Sequence, residues 1–190
     1  MKSSPSLLPL PTLLVVLFLC HTSGAQELDS THDEQKAAMA KLKPLAGEWK
    51  GSGWIQFGPR RFEFQGTEVF AEKAGALAIV VTGLHHMPMP DGTKRVVHNA
   101  VGMINFDAKT DRYRFATQLA NGRAGTYFAT LTADGDFQWT IPKTPLGQMV
   151  YTISFQKEGE YHEIGELVSK TKSRQKFFEM NLRRVTRPKE

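Results

Sequence analysis

The stretch "LKPLAGEWKGSGW", residues 42–54, sets Trp49 and Trp54 among Gly47, Gly51 and Gly53. With a period of two from Trp49, it puts Trp49, Gly51, Gly53, Ile55 and Phe57 on one face and Lys50, Ser52, Trp54 and Gln56 on the other. The first is the core face. Glycine inside a strand costs about 0.5–1 kcal/mol relative to alanine. Two of them on a core face are explained by a sharp bend or a close backbone approach at a barrel corner. Trp49 is then expected to plug a barrel floor beneath a leading helix, with Trp54 covering the outside of the same corner.

The alternation continues downstream. "YRFATQL" (residues 113–119) places Tyr113, Phe115, Thr117 and Leu119 on one face. "DFQWTI" (136–141) does the same with Phe137, Trp139 and Ile141, and "MVYTISFQ" (149–156) with Met149, Tyr151, Ile153 and Phe155. Such segments are half-buried strands. Others are expected near residues 62–70, 76–84, 96–106, 161–168 and 176–185. "PDG" (90–92), "DAKTDR" (107–112), "NGR" (121–123), "ADGD" (133–136) and "KEGE" (157–160) are hairpin-like connections between them. The spacing predicts an all-β chain of about ten strands forming a closed antiparallel up-and-down β-barrel. Nothing between residues 47 and 185 reads as a second helix, which excludes a βαβ fold.

Upstream, "STHDEQKAAMAKLKPLAG" (30–47) predicts a short N-terminal helix. Ser30 or Thr31 is its N-cap, Asp33 and Glu34 fill its first turn, Met39 and Leu42 mark its apolar side, and Pro44 stops it. Before it, Lys2, an apolar run at residues 13–20, and the small residues Ser23 and Ala25 compose a secretory signal over residues 1–25. Cleavage after Ala25 leaves one barrel domain over residues 26–190, periplasmic or secreted. The apolar run falls short of the roughly 20 residues of a membrane span, so no integral membrane segment is expected after cleavage. A lipoprotein anchor at Cys20 would want a small residue where Leu19 stands. Cys20 is the chain's one cysteine, so the cleaved protein has no disulfide, thiolate nucleophile or cysteine metal site.

The formal charge is +5, and the cations gather late, at Lys170, Lys172, Arg174 and Lys176 and again at Arg183, Arg184, Arg187 and Lys189. They read as a solvated strand face and tail. Nucleic acid is not an expected partner, because only Phe177 and Phe178 offer stacking platforms nearby. Nothing in the sequence specifies an oligomeric state.

"LAGEWKGSGW" (45–54) resembles the first-strand Gly-x-Trp signature of the lipocalin and calycin barrels, and its "GEW-x-G-x-G" core is similar to the nitrobindin-like barrels. "YHEIGELVSKTKSRQKFFEMNLRRV" (161–185) resembles the closing strands of a family of secreted bacterial domains of unknown function in the same group, and "VGMINFDAKTDRYRF" (101–115) extends the likeness. The resemblance implies a closed barrel. Nitrobindin-like barrels hold haem through a histidine near the last strand and act on nitric oxide or peroxynitrite. This chain departs there: "KFFEMNLRRV" (176–185) has no histidine, and Phe177 and Phe178 stand about where the ligand would lie.

His162, one strand earlier, is the nearest substitute. His98 shares parity with Val96, Ala100, Gly102, Ile104 and Phe106 and is a pocket candidate if that face turns inward. His85 and His86 are adjacent, so on a strand they oppose each other and cannot share a metal; they are expected in a loop at the barrel mouth. Tyr161 and Glu163 share a face. Outward they would be routine surface, which is the expectation; inward they would make a polar floor. An aromatic, sulfur-containing interior is available from Phe62, Phe64, Phe70, Met103, Phe115, Trp139, Tyr151 and Phe155.

No Ser-His-Asp order, HExxH, phosphate loop or dinucleotide fingerprint is present. No catalytic or metal-ligating residue is assigned, and no cofactor is specified. The ligand-contact candidates are His98, Tyr151, Trp139, Phe115, Met103, His162 and Glu163. Three readings follow: an exported barrel holding a small apolar or amphipathic ligand, a nitrobindin-like haem protein, or a ligand-free interaction domain using the basic closing hairpin.

Overall fold

The structure, a computed structural model, describes residues 23–185. The apolar leader and Cys20 lie outside the described residues. Helix α1 (Ser23–Ala40) and a single 3₁₀ turn (Lys43–Leu45) precede ten strands. These are β1 (Gly47–Phe57), β2 (Arg60–Lys73), β3 (Ala78–Pro88), β4 (Lys94–Asp107) and β5 (Arg112–Leu119), then β6 (Ala124–Leu131), β7 (Phe137–Thr144), β8 (Gly147–Ser154), β9 (Glu160–Val168) and β10 (Arg174–Arg184). Each pairs antiparallel with its sequence neighbour, and β10 returns to β1, so the sheet is an up-and-down barrel without a free edge.

The turn signals work as expected. Gly122 and Gly135 take φ of +85° and +83°, values that cost glycine little, inside the β5–β6 and β6–β7 connections. The helix differs from its sequence reading at the start. It begins at Ser23, so Ser30 and Thr31 lie within it instead of capping it. Ala25, Gln26, Glu27 and Leu28, mostly strong helix formers, carry it upstream. It stops at Ala40, because Pro44 has no N–H to donate to that carbonyl.

One end of the barrel is sealed by this lead-in. Met39, Leu42, Leu45 and Trp49 are all 2 % exposed or less. The Trp49 indole N–H donates to the Leu45 carbonyl at 2.8 Å, and the Tyr113 hydroxyl donates to Ala38 O at 2.8 Å, satisfying a carbonyl of the last helical turn. The Arg184 guanidinium lies 4.2 Å over the Trp49 ring and donates to the carbonyls of Ala46 and Pro44. Trp54, on the other face, donates to Glu179 outside the wall and carries Arg61 over its ring at 4.0 Å.

The glycines of β1 answer a packing demand. A Cβ on Gly51 would run into the Asn181 carbonyl of β10, and one on Gly53 into Glu179 O and the Phe64 ring. Close approach at the closing seam is therefore their function. Truncating the plug tests this part of the fold: Trp49→Ala is expected to cost about 3–5 kcal/mol of unfolding free energy in denaturant titration, since it opens a cavity beneath the helix and orphans Leu45 O.

Candidate functional site

Above the Trp49 plug the barrel holds a cavity of about 580 Å³. Its walls are aromatic. Trp139 stacks on Tyr151 with centroids 4.3 Å apart, Phe115 meets Trp139 edge-on at 5.3 Å, and Phe64 stacks on Phe178 at 5.8 Å. The Trp139 indole nitrogen is a buried donor with no hydrogen-bond partner among the described residues.

Polar groups enter this lining from β2, β3, β4 and β9. Glu68 and His85, both buried, meet at 2.7 Å between Oε1 and Nε2. The His85 ring is sandwiched between Phe64 and His98, each with its centroid 4.7 Å away. Tyr161 donates its hydroxyl to Glu163 at 2.8 Å. Two glycines make room for the acid and the imidazole on neighbouring strands. A Cβ on Gly83 of β3 would lie 2.7 Å from a Glu68 oxygen, and one on Gly66 of β2 would lie 3.0 Å from the His85 ring.

Burial sets the protonation of these groups. It raises the Glu68 carboxyl to about 8. Glu163 is also raised to about 8, by burial first, with the Tyr161 hydrogen bond opposing and the nearby Glu68 adding to the rise. It lowers His85 to about 4, assisted by His86, and His98 to about 4, assisted by His85 and Arg123. The 2.7 Å contact is ion-pair distance, yet both shifts favour uncharged partners, because separating two charges in this interior costs more than the contact returns. Both shifts thus favour a neutral pair, the carboxylic acid of Glu68 hydrogen-bonded to the uncharged imidazole of His85.

Of the sequence candidates, His98, Tyr151, Trp139, Phe115 and Glu163 line one cavity. Glu163 is 9 % exposed, so the outward orientation expected for it and Tyr161 is corrected; the Tyr161 hydroxyl satisfies it within. Met103 faces out and is 46 % exposed, because Gly102 and Ile104 are the inward neighbours on β4. His162 also faces out. Tyr161, Glu163 and Gly165 are the buried positions of β9, and the His162 ring bonds Glu179 at 3.0 Å on the outer surface. His85 stands in β3, not in a mouth loop. Val96, read as sharing the His98 face, is 51 % exposed: the β3–β4 register shifts between His85 and His86, making Val97 the extra residue of a bulge and exchanging faces beyond it.

Glu68, Arg95 and Arg123 were not among the sequence candidates, although all three line the cavity. The signal for Glu68 was available. It shares parity with Phe62, Phe64, Gly66 and Phe70, and an acid on an aromatic face is out of place unless it is paired. Among the described residues no group of three His, Cys, Asp or Glu side chains is disposed to hold a metal ion.

No family model matches the chain, and no curated protein matches it. Among solved structures it is similar to the crystal structure of Rv2717c from M. tuberculosis, with a TM-score of 0.57 and 16 % identity over 78 % of this chain and 98 % of that one. A likeness at that identity is one of fold.

The sign of the pH dependence follows from the buried groups. Carboxyls raised from 4.5 to about 8 bind protons more tightly when folded, so their contribution is complete below 4.5 and is lost as pH rises through 8. Histidines lowered from 6.5 to about 4 act oppositely, over the range between those values. The two effects offset each other in mild acid, and only the carboxyls act above pH 6.5. Thermal midpoints are expected to fall between pH 6.5 and about 8, and Glu68→Gln with Glu163→Gln should flatten that slope in calorimetry.

Proposed function

We propose that this protein is an exported barrel that binds a small apolar or amphipathic ligand in its interior. The leader at residues 1–25 supports export to the periplasm or beyond. The cavity supports binding: about 580 Å³ lies within the range of about 300–1,000 Å³ typical of small-molecule sites, and it combines apolar walls with a few convergent polar groups. Burying aromatic and aliphatic surface of a ligand against Phe115, Trp139 and Phe178 supplies the driving force, and His98 or the Trp139 N–H supplies orientation. Native mass spectrometry of the purified protein, with displacement of 1-anilinonaphthalene-8-sulfonate as a solution assay, tests it. Thr117→Trp, which fills the cavity from β5, is expected to weaken the dye by about tenfold or more. Unchanged dye binding in that variant overturns interior binding.

A second reading keeps the haem chemistry of the nitrobindin-like barrels. The supporting observation is His98, whose ring nitrogens carry no hydrogen bond among the described residues and whose low proton affinity leaves the imidazole neutral. Against it, β10 turns Phe178 inward where that family's histidine would be expected. Bound haem would supply iron as the site of nitric oxide or peroxynitrite chemistry, with His98 as the residue of this chain able to hold it. Haemin titration decides: a Soret shift lost in His98→Ala supports this reading, and no shift removes it.

A further inference from the structure

Arg95 and Arg123 both line the cavity at the end opposite Trp49, and neither guanidinium has a carboxylate within ion-pair distance among the described residues. The side-chain contact of Arg95 is the Met87 sulfur at 3.6 Å, a weak acceptor. Other arginines pair with carboxylates, Arg61 to Glu63, Arg174 to Glu166 and Arg183 to Glu160, or stand exposed away from the cavity, as Arg60, Arg112 and Arg114 do; Arg95 and Arg123 are the arginines in the cavity lining. Local backbone devices place these two. The Val97 bulge in β4 exchanges faces, so that Arg95, still exposed at the rim, falls on the cavity side along with Val97 and His98. Arg123 follows the β5–β6 turn, whose Asn121 Oδ1 accepts the Arg123 backbone N–H at 3.1 Å. The Ala120 N–H bonds Asn99 O at 2.8 Å, holding that turn beside the arginine-bearing end of β4.

From this arrangement we infer that the mouth of the cavity is a recognition site for an anionic head group, carboxylate or phosphate, whose single apolar tail lies inward against Phe64, Phe115 and Trp139. The inference rests on the ligand-binding reading and gives it a substrate class and an orientation. A guanidinium pairs with either anion in bidentate fashion, and at a cavity rim it can do so without being stripped of all its water. The inverse orientation is disfavoured. An anion sent to the far end would find no cation in the cavity lining there, only Glu68 and Glu163, whose carboxyls are already hydrogen-bonded to His85 and Tyr161.

Decanoate and its neutral counterpart decanol separate the head from the tail. Titration calorimetry at low salt is expected to give decanoate about tenfold tighter than decanol. Arg95→Gln and Arg123→Gln should each weaken decanoate by several-fold and together erase its advantage, while decanol binding, which also reports an intact cavity, stays constant. Decyl phosphate in place of decanoate ranks the two anions. Equal affinities for decanoate and decanol, unaltered by the double variant, overturn head-group recognition and leave the cavity reading standing. Failure of both compounds to bind the wild-type chain overturns the cavity reading itself.

Discussion

The β1–β10 seam, which pairs Trp49 with Arg184 at one end and Ile55 with Phe178 at the other, is the constraint on which every inward side chain depends. Nine hairpin contacts make a twisted ribbon; this tenth pairing, formed between the ends of the chain, makes it a vessel. It is also the pairing with the highest loop-closure cost, since its partners lie more than a hundred residues apart. The sequence meets that cost locally. Gly51 and Gly53 admit the β10 backbone, Trp49 buries its ring beneath the helix, and Arg184 spans from the last strand to the carbonyls before the first. One short segment thus closes the wall and seals its floor.

Closure then decides the chemistry of what lies inside. Buried in that interior, the carboxyls of Glu68 and Glu163 are pushed well above their solvent range, which favours a neutral form hydrogen-bonded to His85 or Tyr161. The glycines of β2 and β3 serve this arrangement by reciprocal placement. Gly83 stands opposite Glu68 in the β2–β3 register and Gly66 opposite His85, so each large polar side chain occupies the space its partner strand leaves.

Period two made much of the wall legible from residues alone: Phe115, Thr117 and Leu119 of β5, Phe137, Trp139 and Ile141 of β7, and Tyr151 and Ile153 of β8 line the cavity, although Val150 on the other face of β8 is buried too. It also placed Met103 outside once His98 was inside, a consequence that the aromatic and sulfur inventory overlooked. What parity could not supply was the sign of β9, because each face of "YHEIGELV" carries one acid, and only the register against β10 turns Tyr161 and Glu163 in. Nor could it reveal the Val97 bulge. One inserted residue moves Val96 outward and Arg95 inward, and nothing in "TKRVVHNA" (93–100) announces it.

A buried pair of protonated acids is a costly way to fill a barrel, since apolar side chains of equal volume would pack with no desolvation penalty. The same holds for Trp139, whose indole N–H is buried without a partner among the described residues. A barrel serving only as a scaffold would gain stability from replacing all three. Their position argues for a different constraint: they line one apolar cavity, where burial favours their uncharged forms, while the cavity-lining Arg95 and Arg123 lie at the opposite end from the plug. Fixed positive charge therefore stands only at the mouth of a cavity whose other polar groups favour their neutral forms. Such an asymmetry does not lower the energy of the empty chain, and it would favour one orientation of an elongated guest over its reverse.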